Sequence, residues 1–387
     1  MKKIRLGVVG LGNRGRGMYS LACDSFDFVV PAAACDIRPR NWYERKVDGK
    51  LMCEKYPDAK FYEDYDEMLD KAELDAIIVE TGADIHAEFC AKALKKNVNV
   101  MTDIPVVASL AEAEMLWQAA QETEAIISVG ANPNEQKFTV LLKEFYKKGL
   151  LGNPYCMEAE YIHWSLPDSE ERRILYENGD WRRLLSPIRY CTHSLGPLLT
   201  VLENDELRKA QCFNTGAHHN DLTDNGKPDD MQCAQFQSES GVVIRLMRNG
   251  RCRADIGHHT YRVFGSEGYM ERTERCEKSV IRYNSTRELD TSLKEIPDGI
   301  APEYAEAAKS MGQSGMVIGH GGTDYALFDH FLKALQEGKP APISLKEGLR
   351  MTIPGIYAEE SGKRGGEILR MVYPWDPDWS TEFKKFF

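Results

Sequence analysis

The sequence predicts an α/β protein in which a doubly wound parallel sheet is followed by an α+β domain. Three observations carry that expectation. Apolar runs alternate with helix-patterned stretches in the first third, a glycine-rich turn follows the first run, and the texture changes near Asn132. The runs Ile4–Val9, Val29–Cys35, Ala76–Val79, 98–101 and 125–129 are rich in Val, Ile and Ala. Strands buried on both faces need that composition. Between them, 85–95 and 110–122 have helical spacing, and Leu110, Ala113, Leu116, Trp117 and Ala120 fall on one face. Such alternation implies parallel strands joined by helical crossovers.

Beyond Asn132 a helix-like segment at 137–148 leads to Gly149, and 155–163 then alternates apolar with polar residues. Segments 232–237, 242–247 and 260–264 read as further strands, separated by Gly, Asn and Asp clusters. Helical pattern returns at 325–335 and 346–361. The expected division is a nucleotide-binding domain at 1–131 and a substrate-binding domain at 132–387.

Composition excludes several classes. A chain of 387 residues suits two cores. A net charge of -11 argues against nucleic acid or an anionic membrane as partner. No run reaches the roughly 18 apolar residues of a membrane span. The first apolar run is broken by Gly10, Gly12, Asn13, Arg14 and Gly15, unlike a signal peptide. Ten dispersed cysteines without a C-x-x-C pair read as reduced thiols of a cytoplasmic protein. No metal is expected. Zinc-ligand spacing is missing, and the tandem pairs His218-His219 and His258-His259 would point to opposite faces of a strand.

The segment V-V-G-L-G-N-R-G supplies G-x-G-x-x-G at Gly10, Gly12 and Gly15, with Asn13 and Arg14 inside it. It follows a predicted strand and opens a helix-like stretch, and Asp36 ends the second predicted strand. This is the Rossmann dinucleotide fingerprint. Gly10 permits the tight turn, Gly12 lets backbone approach a pyrophosphate at the helix N-terminus, and Asp36 accepts from ribose hydroxyls. Asp36 favours NAD over NADP, whereas Arg38 could offer a positive charge to the extra phosphate of NADP.

With these motifs the chain resembles the glucose–fructose oxidoreductase, inositol dehydrogenase and rhizopine-catabolism (Gfo/Idh/MocA) family over nearly its whole length. T-G-A-D-I-H at 81–86 and N-V-M-T-D-I-P ending at Pro105 look like the family's turns after the fourth and fifth strands. The resemblance makes Thr81, His86, Asp103 and Pro105 candidates at the nicotinamide end of the cofactor site. Asn132 joins them by its place after a predicted strand. Y-C-T-H-S-L-G-P at 190–197 and G-H-G-G-T-D at 319–324 look like a subgroup that includes NAD-dependent glycosidases such as α-N-acetylgalactosaminidase. The family implies a second domain with a large open, mainly antiparallel sheet, through which members associate as homodimers or homotetramers.

The chain also departs from the family. Where dehydrogenases of the family carry Glu-Lys-Pro, this chain has Asp103-Ile104-Pro105. The aspartate four residues before the family's histidine is Arg189, and the often acidic residue three after it is Gly196. Glu135 falls near where the related glycosidases place a tyrosine.

His193 is the retained acid/base candidate, because imidazole titrates near neutrality. Tyr190 could donate to a substrate oxygen or simply pack. His320 and Asp324 could act on a ligand admitted by Gly321 and Gly322, or Thr323 and Asp324 could cap a helix. His163 beside Trp164, and Trp181 with Arg182 and Arg183, are candidate contacts to a carbohydrate substrate. Three functions fit. The first is an NAD-dependent oxidoreductase acting on a ring hydroxyl of a sugar, glycoside or cyclitol. The second is an NAD-dependent glycosidase that oxidises C3 transiently, eliminates, adds water and re-reduces. The third is a non-catalytic sensor of NAD or sugar.

Overall fold

The computed structural model describes residues 2–163, 181, 185–218, 229–250, 258–275, 278–299, 301, 304 and 320–383. The candidates Trp164, Arg182 and Arg183 lie outside these residues, as do His219 and Gly319. The chain divides into two compact units, one of Met1–Asn132 with Pro302–Gly348, the other of Pro133–Ala301 with Leu349–Phe387.

The apolar runs of the first third become strands because each is covered on both faces. β1 (Ile4–Val9) and β2 (Val29–Cys35) pair in parallel. A two-residue hairpin, β3 (Lys46–Val47) and β4 (Lys50–Leu51), follows. The sheet continues with β5 (Lys60–Tyr62), β6 (Ala76–Val79), β7 (Asn99–Thr102) and β8 (Ile127–Val129). Its six parallel strands run β5-β2-β1-β6-β7-β8. Strand order reverses at β1, so the carboxyl ends of β1 and β6 form the switch point where open α/β sheets take ligands.

The expected division at 131/132 leaves 302–348 with the second domain, whereas this segment belongs to the first unit. Tyr325 stacks on Phe26 at 5.2 Å, and the Val129 amide donates to the Ile343 carbonyl at 2.9 Å. Local periodicity identifies the helix Thr323–Glu337 but not the surface it returns to.

The second unit holds a nine-stranded sheet. Its strands are β9 (Pro154–Ile162), β10 (Leu207–Asn214), β11 (Met231–Ser238), β12 (Val243–Asn249) and β13 (Thr260–Gly265). β14 (Gly268–Arg275), β15 (Lys278–Ser285), β16 (Lys294–Pro297) and β17 (Leu369–Arg370) complete it. The order is β16-β15-β14-β13-β9-β12-β11-β10-β17, antiparallel except between β9 and β12. Side chains alternate as the pleat requires. Met157, Ala159 and Tyr161 of β9 are buried, while Glu158 on the other face pairs with Arg245 at 2.9 Å and Arg262 at 3.1 Å. Among the described residues no helix is long and apolar enough to cross a membrane.

One buried ion pair ties the second unit together. Arg350 Nε donates to Glu206 Oε2 at 2.7 Å, and the same guanidinium donates to the carbonyls of Leu202 and Asp205. Both side chains are less than a tenth exposed. Arg350→Leu removes the arginine partner of the buried Glu206 carboxylate and is expected to cost about 3–5 kcal/mol in chemical denaturation. Adding Glu206→Leu should recover much of that loss, because no unpaired charge then remains.

Candidate functional site

The glycine turn is built by close packing. Gly10 has φ of +88°, and a Cβ there would lie 2.5 Å from the Glu80 carbonyl oxygen. A Cβ on Gly15 would lie 1.8 Å from the Gly10 carbonyl oxygen, so the helix Asn13–Ser25 can press onto the turn only without one. A Cβ on Gly12 would meet nothing within 4 Å. Among the described residues nothing crowds this second glycine of the motif, as expected of backbone kept bare for a ligand's phosphates at a helix N-terminus. Arg16 supports the turn from below, donating to the Leu11 carbonyl and the Asn13 amide oxygen, both at 2.6 Å.

Asp36 is fixed at the end of β2. It accepts from the Leu11 amide at 2.6 Å, the Arg38 amide at 2.7 Å and Asn41 Nδ2 at 3.0 Å. An aimed carboxylate beside a bare glycine backbone fits the adenosine half of a dinucleotide.

Arg14 holds the far side of the turn. It donates to both oxygens of Asp324, at 2.6 and 3.0 Å, and its Nε lies 3.5 Å from Asp103 Oδ2. Asp324 also lies 3.0 Å from His320 Nδ1, and Asn132 Nδ2 donates to it at 3.4 Å. Burial opposes its ionisation, but Arg14 and His320 outweigh burial and hold its carboxyl well below the usual range. Asp324 therefore answers neither sequence alternative, since it does not cap the helix Thr323–Glu337 and its oxygens are committed to Arg14.

Glu80, just after β6, went unnoticed in the sequence. Burial, then the charge of Asp103, push its carboxyl well above the usual range, and it is hydrogen-bonded to Asp103. The available signal was an acid directly after the wholly apolar run A-I-I-V. Thr81 Oγ1 meets His86 Nδ1 at 3.0 Å across the same turn, and Pro105 follows a cis peptide bond after β7.

In the second unit the structure gathers His193, Tyr190, His163 and Trp181. His193 is buried in the first turn of the helix Thr192–Leu199. The Tyr190 hydroxyl lies 3.4 Å from its Nε2, and the Tyr261 hydroxyl of β13 donates to its carbonyl at 2.7 Å. Trp181 packs 5.7 Å from Tyr190. Tyr161 of β9 is the hub: its ring centre lies 5.2 Å from His193, 5.4 Å from His163, 5.5 Å from His258 and 4.8 Å from His259. The Arg248 guanidinium lies 4.3 Å from the same ring centre.

Sequence reasoning missed Tyr161, Arg248, His258 and His259 as members of this cluster. The opposite-faces argument does not apply to His258-His259, because both sit in the turn before β13, with ring centres 4.5 Å apart. Among the described residues no group of three or more His, Cys, Asp or Glu is arranged to hold a metal ion. Burial, then the neighbouring His193, His258 and Arg272, hold His259 well below the ordinary histidine range. The departures at 189 and 196 also have local causes. Arg189 pairs with Glu359 at 3.4 Å, and a Cβ on Gly196 would lie 2.4 Å from Asn134 Oδ1, so the Asn134 side chain would have to shift to admit an acid.

Because Gly12 faces open space, Gly12→Val should leave the thermal midpoint within a few degrees of the parent. The same change should remove most affinity for NADH in a fluorescence titration. Loss of binding together with loss of folding would instead make Gly12 a structural residue.

Comparison with known proteins agrees with this geometry. Residues 4–131 match the Gfo/Idh/MocA family model, described as an oxidoreductase family with an NAD-binding Rossmann fold. The α-N-acetylgalactosaminidase of Shewanella oneidensis is 22% identical, over 93% of this chain and 83% of its own length. A glycosyl hydrolase family 109 protein of Akkermansia muciniphila is 24% identical, over 98% of this chain and 84% of its own. Among solved structures, levoglucosan dehydrogenase in complex with NADH and levoglucosan superposes with a TM-score of 0.78 at 15% identity, covering 95% of this chain and 99% of that one. The scyllo-inositol dehydrogenase of Lactobacillus casei gives 0.71 at 15% identity over the same shares. Residues 4–131 are thus similar to the NAD-binding Rossmann fold of the Gfo/Idh/MocA oxidoreductase family.

Proposed function

We propose that the chain is an NAD-dependent oxidoreductase acting on a ring hydroxyl of a sugar, glycoside or cyclitol. The observation that carries this reading is His193, buried with Nε2 against the Tyr190 hydroxyl, in a chain that also carries the dinucleotide turn. NAD, favoured over NADP by Asp36, supplies the hydride acceptor when bound. The residues of this chain do the rest. His193 takes the hydroxyl proton, and Tyr190 and the Tyr261 bond to its carbonyl fix the ring. His259, held neutral, puts no second cation beside the imidazolium that forms. Tyr161, His163 and Trp181 offer aromatic faces to the C–H surface of a sugar.

The same reading makes the protein a cytoplasmic homodimer or homotetramer. It is supported by the habit of the family and by free thiols such as Cys35, Cys90 and Cys191.

A second reading, redox-assisted glycoside cleavage without net NADH, is supported by relatives named as glycosidases that span 93% of the chain. In that case His193 would remove a carbon-bound proton next to the transient ketone.

Mass spectrometry of products from enzyme, NAD and a panel of sugars and glycosides separates the two. A product two mass units lighter than its substrate, with equivalent NADH, is the expected result. Free sugar and aglycone without NADH would select the second reading, and binding without turnover would select a sensor. His193→Ala should lower kcat/KM by about 10²–10⁴ for either enzyme.

A further inference from the structure

A short chain of hydrogen bonds in the second unit ends on the backbone of His193. Tyr261, wholly buried on β13, donates its hydroxyl to the His193 carbonyl at 2.7 Å. The same hydroxyl oxygen lies 3.3 Å from Nδ1 of His259, two residues earlier. The direction of that second bond follows from the number of protons. A carbonyl oxygen only accepts, so the single phenolic proton is committed to His193. The bond to His259 then needs a proton on Nδ1, donated to the Tyr261 oxygen.

The His259 ring is held where this bond forms. It stacks on Tyr161 of β9 at 4.8 Å, 15° from parallel, and its carbonyl accepts from Arg272 of β14. Arg272 is itself fixed by Asp298 at 2.7 Å and by Glu274 at 3.0 Å. The titratable and charged groups around the ring are His193 of the helix Thr192–Leu199, His163 just after β9, His258 in the same turn and Arg272. Glu274 stands behind His258, 3.7 Å from its Nδ1. Burial and these basic neighbours disfavour an imidazolium at His259. A neutral ring with its proton on Nδ1 carries its lone pair on Nε2. The ordinary tautomer of a neutral histidine in water is the opposite one, and in a protein the tautomer is set by the hydrogen bonds the ring makes.

We propose that His259 is a positioning residue for His193, locked as the Nδ1–H tautomer and acting through the Tyr261 hydroxyl. This inference rests on the reading of His193 as the base. The ordinary tautomer would present a lone pair at Nδ1 and compete with the His193 carbonyl for the one phenolic proton. With Nδ1 as donor, that competition is removed. The Tyr261 hydroxyl stays turned toward the carbonyl in the first turn of the helix, and the imidazole of His193 keeps its place.

The first test is the tautomer itself. Nitrogen-15 NMR of the full chain, labelled at histidine, separates a protonated ring nitrogen from one with a lone pair. The His259 signals are those missing from His259→Asn. At neutral pH they should report the proton on Nδ1. Tyr261→Phe keeps the ring stacked on Phe138, 5.1 Å away, but removes the hydroxyl, and should return His259 to the Nε2–H form.

Turnover gives the second readout, with a substrate from the panel above and product formation as the signal. Asn places an amide nitrogen where Nδ1 stands, whereas Gln reaches only the place of Nε2. His259→Asn should therefore keep most of the parent's kcat. His259→Gln and Tyr261→Phe should each lower kcat by up to about 10²-fold, with KM little changed. Combining those two should cost no more than either alone, because both break one chain. Thermal melting checks that each variant is folded. An Nε2–H tautomer in the parent, a tautomer unmoved by Tyr261→Phe, or equal kcat for His259→Asn and His259→Gln would each overturn the proposal. Undiminished turnover in His193→Ala, or none in the parent, would instead overturn the reading of His193 as the base, and the positioning role with it.

Discussion

The nucleotide-binding unit depends on the ion pair between Arg14 and Asp324. Asp324 is almost fully buried, where an isolated carboxylate would neutralise itself by taking a proton. Arg14 prevents this by donating to both oxygens, the planar two-bond geometry that makes arginine suited to buried carboxylates. The two residues are 310 positions apart. The pair therefore fastens the start of the helix Thr323–Glu337 to the glycine turn. It also spends the one cation of the fingerprint on protein carboxylates. What the turn can then offer to phosphate is backbone N–H and helix dipole, the donors that the open space at Gly12 leaves accessible.

Legibility in the sequence followed locality. Parallel strands covered on both faces leave unbroken apolar runs, so β1, β2 and β6 were visible with their bounds. β5 and β17 were not, because three and two residues carry no period and such edges are set by neighbours distant in sequence. β14 was hidden for another reason. One of its inward positions holds Arg272, buried only because Asp298 and Glu274 pair with it, so the strand does not read as half apolar.

The candidate residues divide along the same line. Gly10, Gly12 and Gly15 shape one short turn, and Asp36 meets that turn at the Leu11 amide, a spacing that the fingerprint expresses directly. His193 and Tyr190 were found as a short motif on one stretch of chain. Tyr161 comes from the end of β9, and His258 and His259 from the turn before β13, and nothing local marks them. Their common feature is Tyr161, which lies on a β9 position that reads as ordinary core. A rule about strand alternation misjudged the tandem histidines because it assumed the wrong local conformation, not because the rule fails.

Charge placement follows the same physics in each unit. The first unit gathers three carboxyl groups around one arginine, while the second gathers four histidines near Arg248 and Arg272. In each group the low dielectric allows only a limited number of charges at once. Burial, then the neighbouring charges, push Glu80 toward its protonated form and His259 toward its neutral form. Each protonation state is therefore set by neighbours rather than by the residue's own affinity. Chemistry that changes charge by one unit, a cationic ring becoming neutral or a histidine taking up a hydroxyl proton, is what such poised groups respond to.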